Sequence, residues 1–70
     1  MKVRIYTLEH CYSCKIMKKF LEENNVSFDE IDAEENKDVL ISHGFFSVPV
    51  VEIDGKFYQD SEDIKKILGL

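Results

Sequence analysis

Residues 48–58 read Val-Pro-Val-Val-Glu-Ile-Asp-Gly-Lys-Phe-Tyr, two apolar stretches joined by an Asp-Gly pair. Asp-Gly supplies the two left-handed positions of a tight turn whose twist matches that of paired strands. The segment therefore reads as a hairpin, with strand 48–53, turn Asp54-Gly55 and strand 56–58. An antiparallel pair this close to the C-terminus constrains everything before it.

Upstream, Val3 and Ile5 alternate with Lys2 and Arg4 and lead into Tyr6, which predicts a first strand. Met17, Phe20 and Leu21, with Ile16 beside them, recur at helical spacing. That helix is expected from Cys11 or Tyr12 to Glu23, closed by Asn24-Asn25 because Asn tolerates the left-handed conformation. Val26, Phe28 and Ile31 predict a second strand over residues 26–32. Asp32 or Asn36 is placed to cap a second helix that buries Val39 and Leu40, with Gly44 just beyond its end. Asp60 or Ser61 opens a last helix carrying Ile64, Ile67 and Leu68 on one face.

The order is β-α-β-α-β-β-α over a single expected domain, residues 1–70, without linker or repeat. The first strand-helix-strand unit closes as a right-handed parallel crossover, and the hairpin adds two antiparallel strands. The fold class is α/β: a four-stranded mixed sheet flanked by three helices covering both faces.

Composition narrows the function. A chain 44% hydrophobic and 33% charged has ordinary globular make-up, which argues against disorder. No apolar run approaches the roughly 20 residues of a membrane span, and the opening residues lack the apolar core of a signal peptide. The expectation is a mature chain starting at Met1, acting in the cytoplasm away from membranes. Fourteen acids against nine bases leave a net charge of −5, a field that repels nucleic acid. Lys15, Lys18 and Lys19 form a local basic group, a solvated helix face that also lends positive potential near the cysteines.

Cys11 and Cys14 are the only cysteines. Two cysteines three apart at a helix start can reach disulfide geometry, yet a ring so small removes little chain entropy. A structural staple is thus a poor explanation, and C-x-x-C at a strand–helix junction reads as a redox pair. Cys11 sits where unpaired helix N–H groups favour a thiolate, whereas Cys14 lies one turn inside and is more covered. Cys11 is the expected nucleophile and Cys14 the resolving thiol. Zinc is the weaker alternative: His10 is adjacent to Cys11, His43 closes a helix, and no closely spaced histidine pair exists. His10 is read as a solvated loop residue, with tuning of Cys11 as the sharper role. Pro49 interrupts an apparent central strand. It is either a trans proline at the strand's start or a cis proline presenting the Val48 backbone beside the cysteines.

The stretches Ile5-Tyr6-Thr7-Leu8-Glu9-His10-Cys11-Tyr12-Ser13-Cys14, Gly44 to Phe57 and Ser61 to Leu68 resemble glutaredoxins and the glutaredoxin-like redoxins that serve ribonucleotide reductase. The resemblance spans nearly the whole chain and implies a thioredoxin-like fold with a cis Pro49. It implies a dithiol electron carrier that reduces disulfide-containing proteins, with Tyr12, Val48, Pro49, Ser61 and Glu62 contacting substrate. No tightly bound cofactor or metal is implied, and the chain is expected to act as a monomer.

The reductant divides the family. Glutaredoxins usually carry a lysine where this chain has Leu8, and a Gly-Gly pair where it has Gln59-Asp60. Asp60 places negative charge where a glutathione carboxylate docks, a Coulombic penalty. Tyr12 beside the sulfur and the N–H groups of Ser61, Glu62 and Asp63 still leave glutathione as an alternative reductant to thioredoxin reductase. Cys-Tyr-Ser-Cys also departs from the usual Cys-Pro-Tyr-Cys, and His43 to Val51 is nearer the reductase-fed redoxins. Phe45 and Phe46 are expected to be partly core, an exposed ring joining the docking surface. An iron–sulfur carrier, using Cys11 thiolates and glutathione with Ser13 near the motif, is the reading from another class. A binding module without redox turnover is the third.

Overall fold

Residues 1–70 are described by a computed structural model. Strand β1, Val3–Thr7, leads into helix α1, Tyr12–Glu23, and strand β2, Asp29–Asp32. Helix α2, Lys37–Ser42, precedes the hairpin of β3, Val50–Ile53, and β4, Lys56–Tyr58; helix α3, Ser61–Leu68, follows. The sheet order is β2-β1-β3-β4. β1 pairs in parallel with β2, Tyr6 opposite Ile31, and antiparallel with β3, Ile5 opposite Val51. This is the expected four-stranded mixed sheet.

Alternation along β1 and β3 divides the core between the two faces. Val3, Ile5, Val51 and Ile53 meet Met17 and Leu21 of α1 and Ile64 of α3. Tyr6 and Val50 point the other way, onto Ala33 in the turn after β2 and Leu40 of α2. Leu21, Ile64, Ile5 and Val51 are completely buried. Such side chains contribute roughly 1.5–3 kcal/mol each. Tyr6 keeps its hydroxyl satisfied by donating to Glu52 Oε1 at 2.6 Å. Burial, then that carboxylate, raises its phenol above the ordinary value, so it stays protonated.

Asp54 (φ 49°) and Gly55 (φ 87°) both take the left-handed conformation that the hairpin turn requires. The Asp54 side chain accepts from Lys2 N–H at 2.7 Å, and Asp54 N–H donates to Lys2 C=O at 2.9 Å. The turn is thereby tied to the beginning of β1.

Several boundaries differ from expectation. β2 begins at Asp29 rather than residue 26, because Val26 N–H closes α1 by donating to Leu21 C=O at 2.9 Å. Val26 and Phe28 still pack on the core from outside the ladder. β3 begins at Val50, leaving Val48 and Pro49 as a connecting loop. α2 is only six residues long, so it turns Leu40 inward and leaves Val39 42% exposed. Asn36 stands at its N-cap without a side-chain cap bond, and Asp32 instead accepts from Glu34 N–H at 2.9 Å. In α3, Ile64 is the buried anchor while Ile67 is 42% exposed. Ile16 of α1 likewise faces outward.

Ile64→Ala is expected to lower unfolding stability by about 2–5 kcal/mol, because it empties a completely buried site. Val39→Ala is expected to cost less than about 1 kcal/mol. Urea-unfolding midpoints of the two variants check the contrast.

Candidate active site

β1 ends at Thr7, and Leu8, Glu9 and His10 carry the chain to the start of α1. His10 adopts a left-handed conformation (φ 59°), reversing the chain so that Cys11 becomes the N-cap of α1. Cys11 is extended, its C=O accepts the first helical bond from Lys15 N–H at 3.2 Å, and its Sγ accepts from Cys14 N–H at 3.2 Å. A sulfur thus occupies the capping position usually held by an Asp or Ser oxygen. The first turn of α1 holds no acid, so no carboxylate competes for its positive end.

The two cysteines differ as their positions require. Cys14 is 1% exposed, whereas Cys11 is partly open to solvent. They pair as a disulfide with Cα atoms 5.2 Å apart. Ser13 Oγ lies 3.5 Å from Cys11 Sγ, and the Tyr12 ring is 77% exposed beside the pair.

Two clefts flank this turn, with Leu8 between them. One, of about 730 Å³, is lined by both cysteines, His10, Lys15, Lys18 and Glu30. Within it, Thr7 Oγ1 donates to Glu30 Oε2 at 2.8 Å and Lys18 Nζ donates to the same oxygen at 2.9 Å. Lys18, and then Thr7, hold the Glu30 carboxyl below the usual carboxylate range. This trio was invisible in the sequence, because Lys18 meets Glu30 only after β2 has paired with β1. The other cleft, of about 460 Å³, is largely apolar, lined by Leu8, Ile41, Phe45, Phe46 and Val48 together with Glu34 and Lys37. Phe45 is half-buried against Phe57, whereas Phe46 is 80% exposed at this cleft.

The Val48–Pro49 bond is cis. The Val48 N–H and C=O take part in no hydrogen bond within the chain. Ser61 and Glu62 begin α3, but the Asp60 side chain already accepts from Glu62 N–H at 2.9 Å. His43 is held at the end of α2, with Nδ1 2.9 Å from Val39 C=O and its ring 4.3 Å from that of Phe57. The cysteines and histidines form no group of three or more metal-ligating side chains.

Residues 3–58 match the sequence model of the glutaredoxin family. The chain belongs to the glutaredoxin family. This redoxin is 36% identical over 55 residues to the glutaredoxin-like protein NrdH of Lactococcus lactis subsp. lactis, covering 74% of this chain and 76% of that one. Its fold superposes on the NrdH-redoxin of Escherichia coli with a TM-score of 0.85 at 26% identity, covering 97% and 95% of the two chains. A glutaredoxin from Archaeoglobus fulgidus gives a TM-score of 0.74 at 31% identity, covering 96% and 85%. The redoxin is accordingly a thiol–disulfide oxidoreductase of thioredoxin-like fold. No helix is long and apolar enough to cross a membrane.

The Glu30 cluster generates a pH prediction. A carboxyl whose folded pKa is depressed stabilises the fold above its unfolded value, 4.5, and loses that contribution as pH falls through the lower folded value. The Glu30 side chain is 48% exposed. Solvent screening therefore holds the effect to about 0.2–1 kcal/mol. Glu30→Gln is expected to be less stable than wild type at neutral pH, and the gap is expected to be smaller at a second pH below 4.5. Urea midpoints at both pH values, at low and high salt, check it.

Proposed function

We propose that this redoxin reduces disulfides of other proteins, with Cys11 attacking and Cys14 resolving. The observation that carries the reading is the unequal setting of the two sulfurs. Cys11 Sγ is accessible and receives an amide hydrogen bond at the positive end of α1, while Cys14 is sealed behind it. A thiolate at Cys11 attacks one sulfur of the substrate disulfide; the new S–S bond forms as the substrate bond breaks and one substrate thiolate departs. Cys14 then passes its proton to the departed substrate thiolate or to water and attacks Cys11 Sγ, forming the intramolecular disulfide and releasing the second substrate thiolate. Two electrons pass from the dithiol to the substrate, and an external reductant restores them.

Support for peptide rather than glutathione recognition comes from the surroundings. The cleft beside cis Pro49 is largely apolar, Leu8 offers no cation for a carboxylate, and Asp60 occupies the Glu62 N–H. An anionic tripeptide meets the Asp60 charge at the head of α3, whereas an extended protein segment can pair with the free Val48 backbone and lay an apolar side chain on Phe46. We infer thioredoxin reductase as the electron source, in keeping with the thioredoxin-like activity profile described for the Escherichia coli relative. Ribonucleotide reductase is the proposed substrate protein, and the cytoplasm the proposed site of action, the redoxin working as a monomer.

Cys11→Ser is expected to abolish turnover, and Cys14→Ser to accumulate a mixed disulfide detectable by mass spectrometry. Full dithiol activity in Cys14→Ser would overturn the mechanism. NADPH consumption with a protein disulfide, supplied in one arm with thioredoxin reductase and in the other with glutathione and its reductase, tests the electron source. Turnover confined to the first arm is expected; turnover confined to the second would reverse the assignment.

A further inference from the structure

Gln59 lies in the two-residue connection between β4 and α3, with an exposed side chain and no place in the chemistry. Its Nε2 nonetheless donates to Ser47 C=O at 2.8 Å, to Ser47 Oγ at 3.1 Å and to Pro49 C=O at 3.3 Å. These three acceptors lie on the loop that brackets Val48. Both carbonyl partners can only accept, so the amide nitrogen must be the atom facing them.

The pattern is selective. Ser47 C=O and Pro49 C=O are engaged by one amide, while the N–H and C=O of Val48, between them, remain unpaired within the chain. Val48 and Pro49 also fall outside the β3 ladder, so sheet pairing does not hold them in place. Val48 packs on the Tyr6–Leu40 cluster, and Gln59, just past the end of β4 that pairs with the start of β3, ties down the carbonyls on either side of it.

We propose that Gln59 is a positioning residue for substrate: its amide clamps the Ser47–Pro49 loop and holds the Val48 backbone in the orientation that pairs with an incoming peptide. The inference rests on the peptide-docking reading above. Pre-ordering the loop removes an entropic cost that substrate would otherwise meet on binding. The clamp acts through hydrogen-bond donation, which separates it from a packing role. Glutamate matches glutamine in shape but presents only acceptors to two carbonyl oxygens, whereas lysine differs in shape but donates. Residue 59 also immediately precedes the N-cap of α3, where negative charge favours the helix and positive charge opposes it. Helix stability and loop clamping therefore predict opposite rankings for the two variants.

The test is single-turnover oxidation of the reduced protein by excess insulin or by cystamine, a disulfide without amide groups, with no reductase present. Gln59→Glu is expected to raise the half-saturating insulin concentration about fivefold or more, the scale of one lost hydrogen bond, while changing the limiting rate much less. The cystamine half-saturation is expected to move by a smaller factor. Gln59→Lys is expected to restore the insulin value to near wild type. Equal insulin half-saturation in wild type and Gln59→Glu would overturn the clamp, as would Lys failing as badly as Glu. A wild-type protein that reacts with cystamine but not insulin would overturn the docking reading beneath it, and the clamp with it.

Discussion

The fold depends on β1 being paired on both edges at once. β2 binds it in parallel, β3 binds it antiparallel, and its alternate side chains feed two separate core clusters. A buried strand needs all its backbone groups satisfied, and the two ladders do this. Once β1 is held, its end at Thr7 determines where the next turn begins, and that turn places Cys11 at the head of α1.

The chemistry follows from this placement more than from any single charged group. A helix N-terminus offers N–H groups that have no partner inside the helix. Here the cap is sulfur, which receives the Cys14 N–H, while Cys14 sits one turn deeper and is sealed by packing. One geometric device therefore separates the two thiols by both charge preference and access. Around them the surface is unequal: Lys18 paired with Glu30 on one side of Leu8, and the exposed Phe46 ring on the other.

Much of this was legible in the residues. Strict alternation in residues 2–6 and the Asp54-Gly55 pair are local signals, and both were realised because their physics is local. The helix beginning at Cys11 or Tyr12 was readable from apolar spacing and from Asn24-Asn25. Misjudged elements were those whose apolar residues serve packing without regular structure. Val26 and Phe28 look like a strand because they are apolar, yet they contact the core from a loop. Val39 looks buried beside Leu40, yet a six-residue helix turns inward too briefly to bury both.

Composition and short-range pattern determined the element order, the mixed sheet and the position of the redox pair at a helix start. These depend on periodicity, turn preference and the helix's own unpaired amides, all encoded within a few residues. Tertiary structure alone decided which groups face one another: Thr7 and Lys18 on Glu30, and Gln59 across Ser47 and Pro49. Lys18–Glu30 and Gln59–Ser47 are each 12 residues apart in sequence. They meet only because strand pairing sets the register, and no local preference of the chain specifies such a meeting.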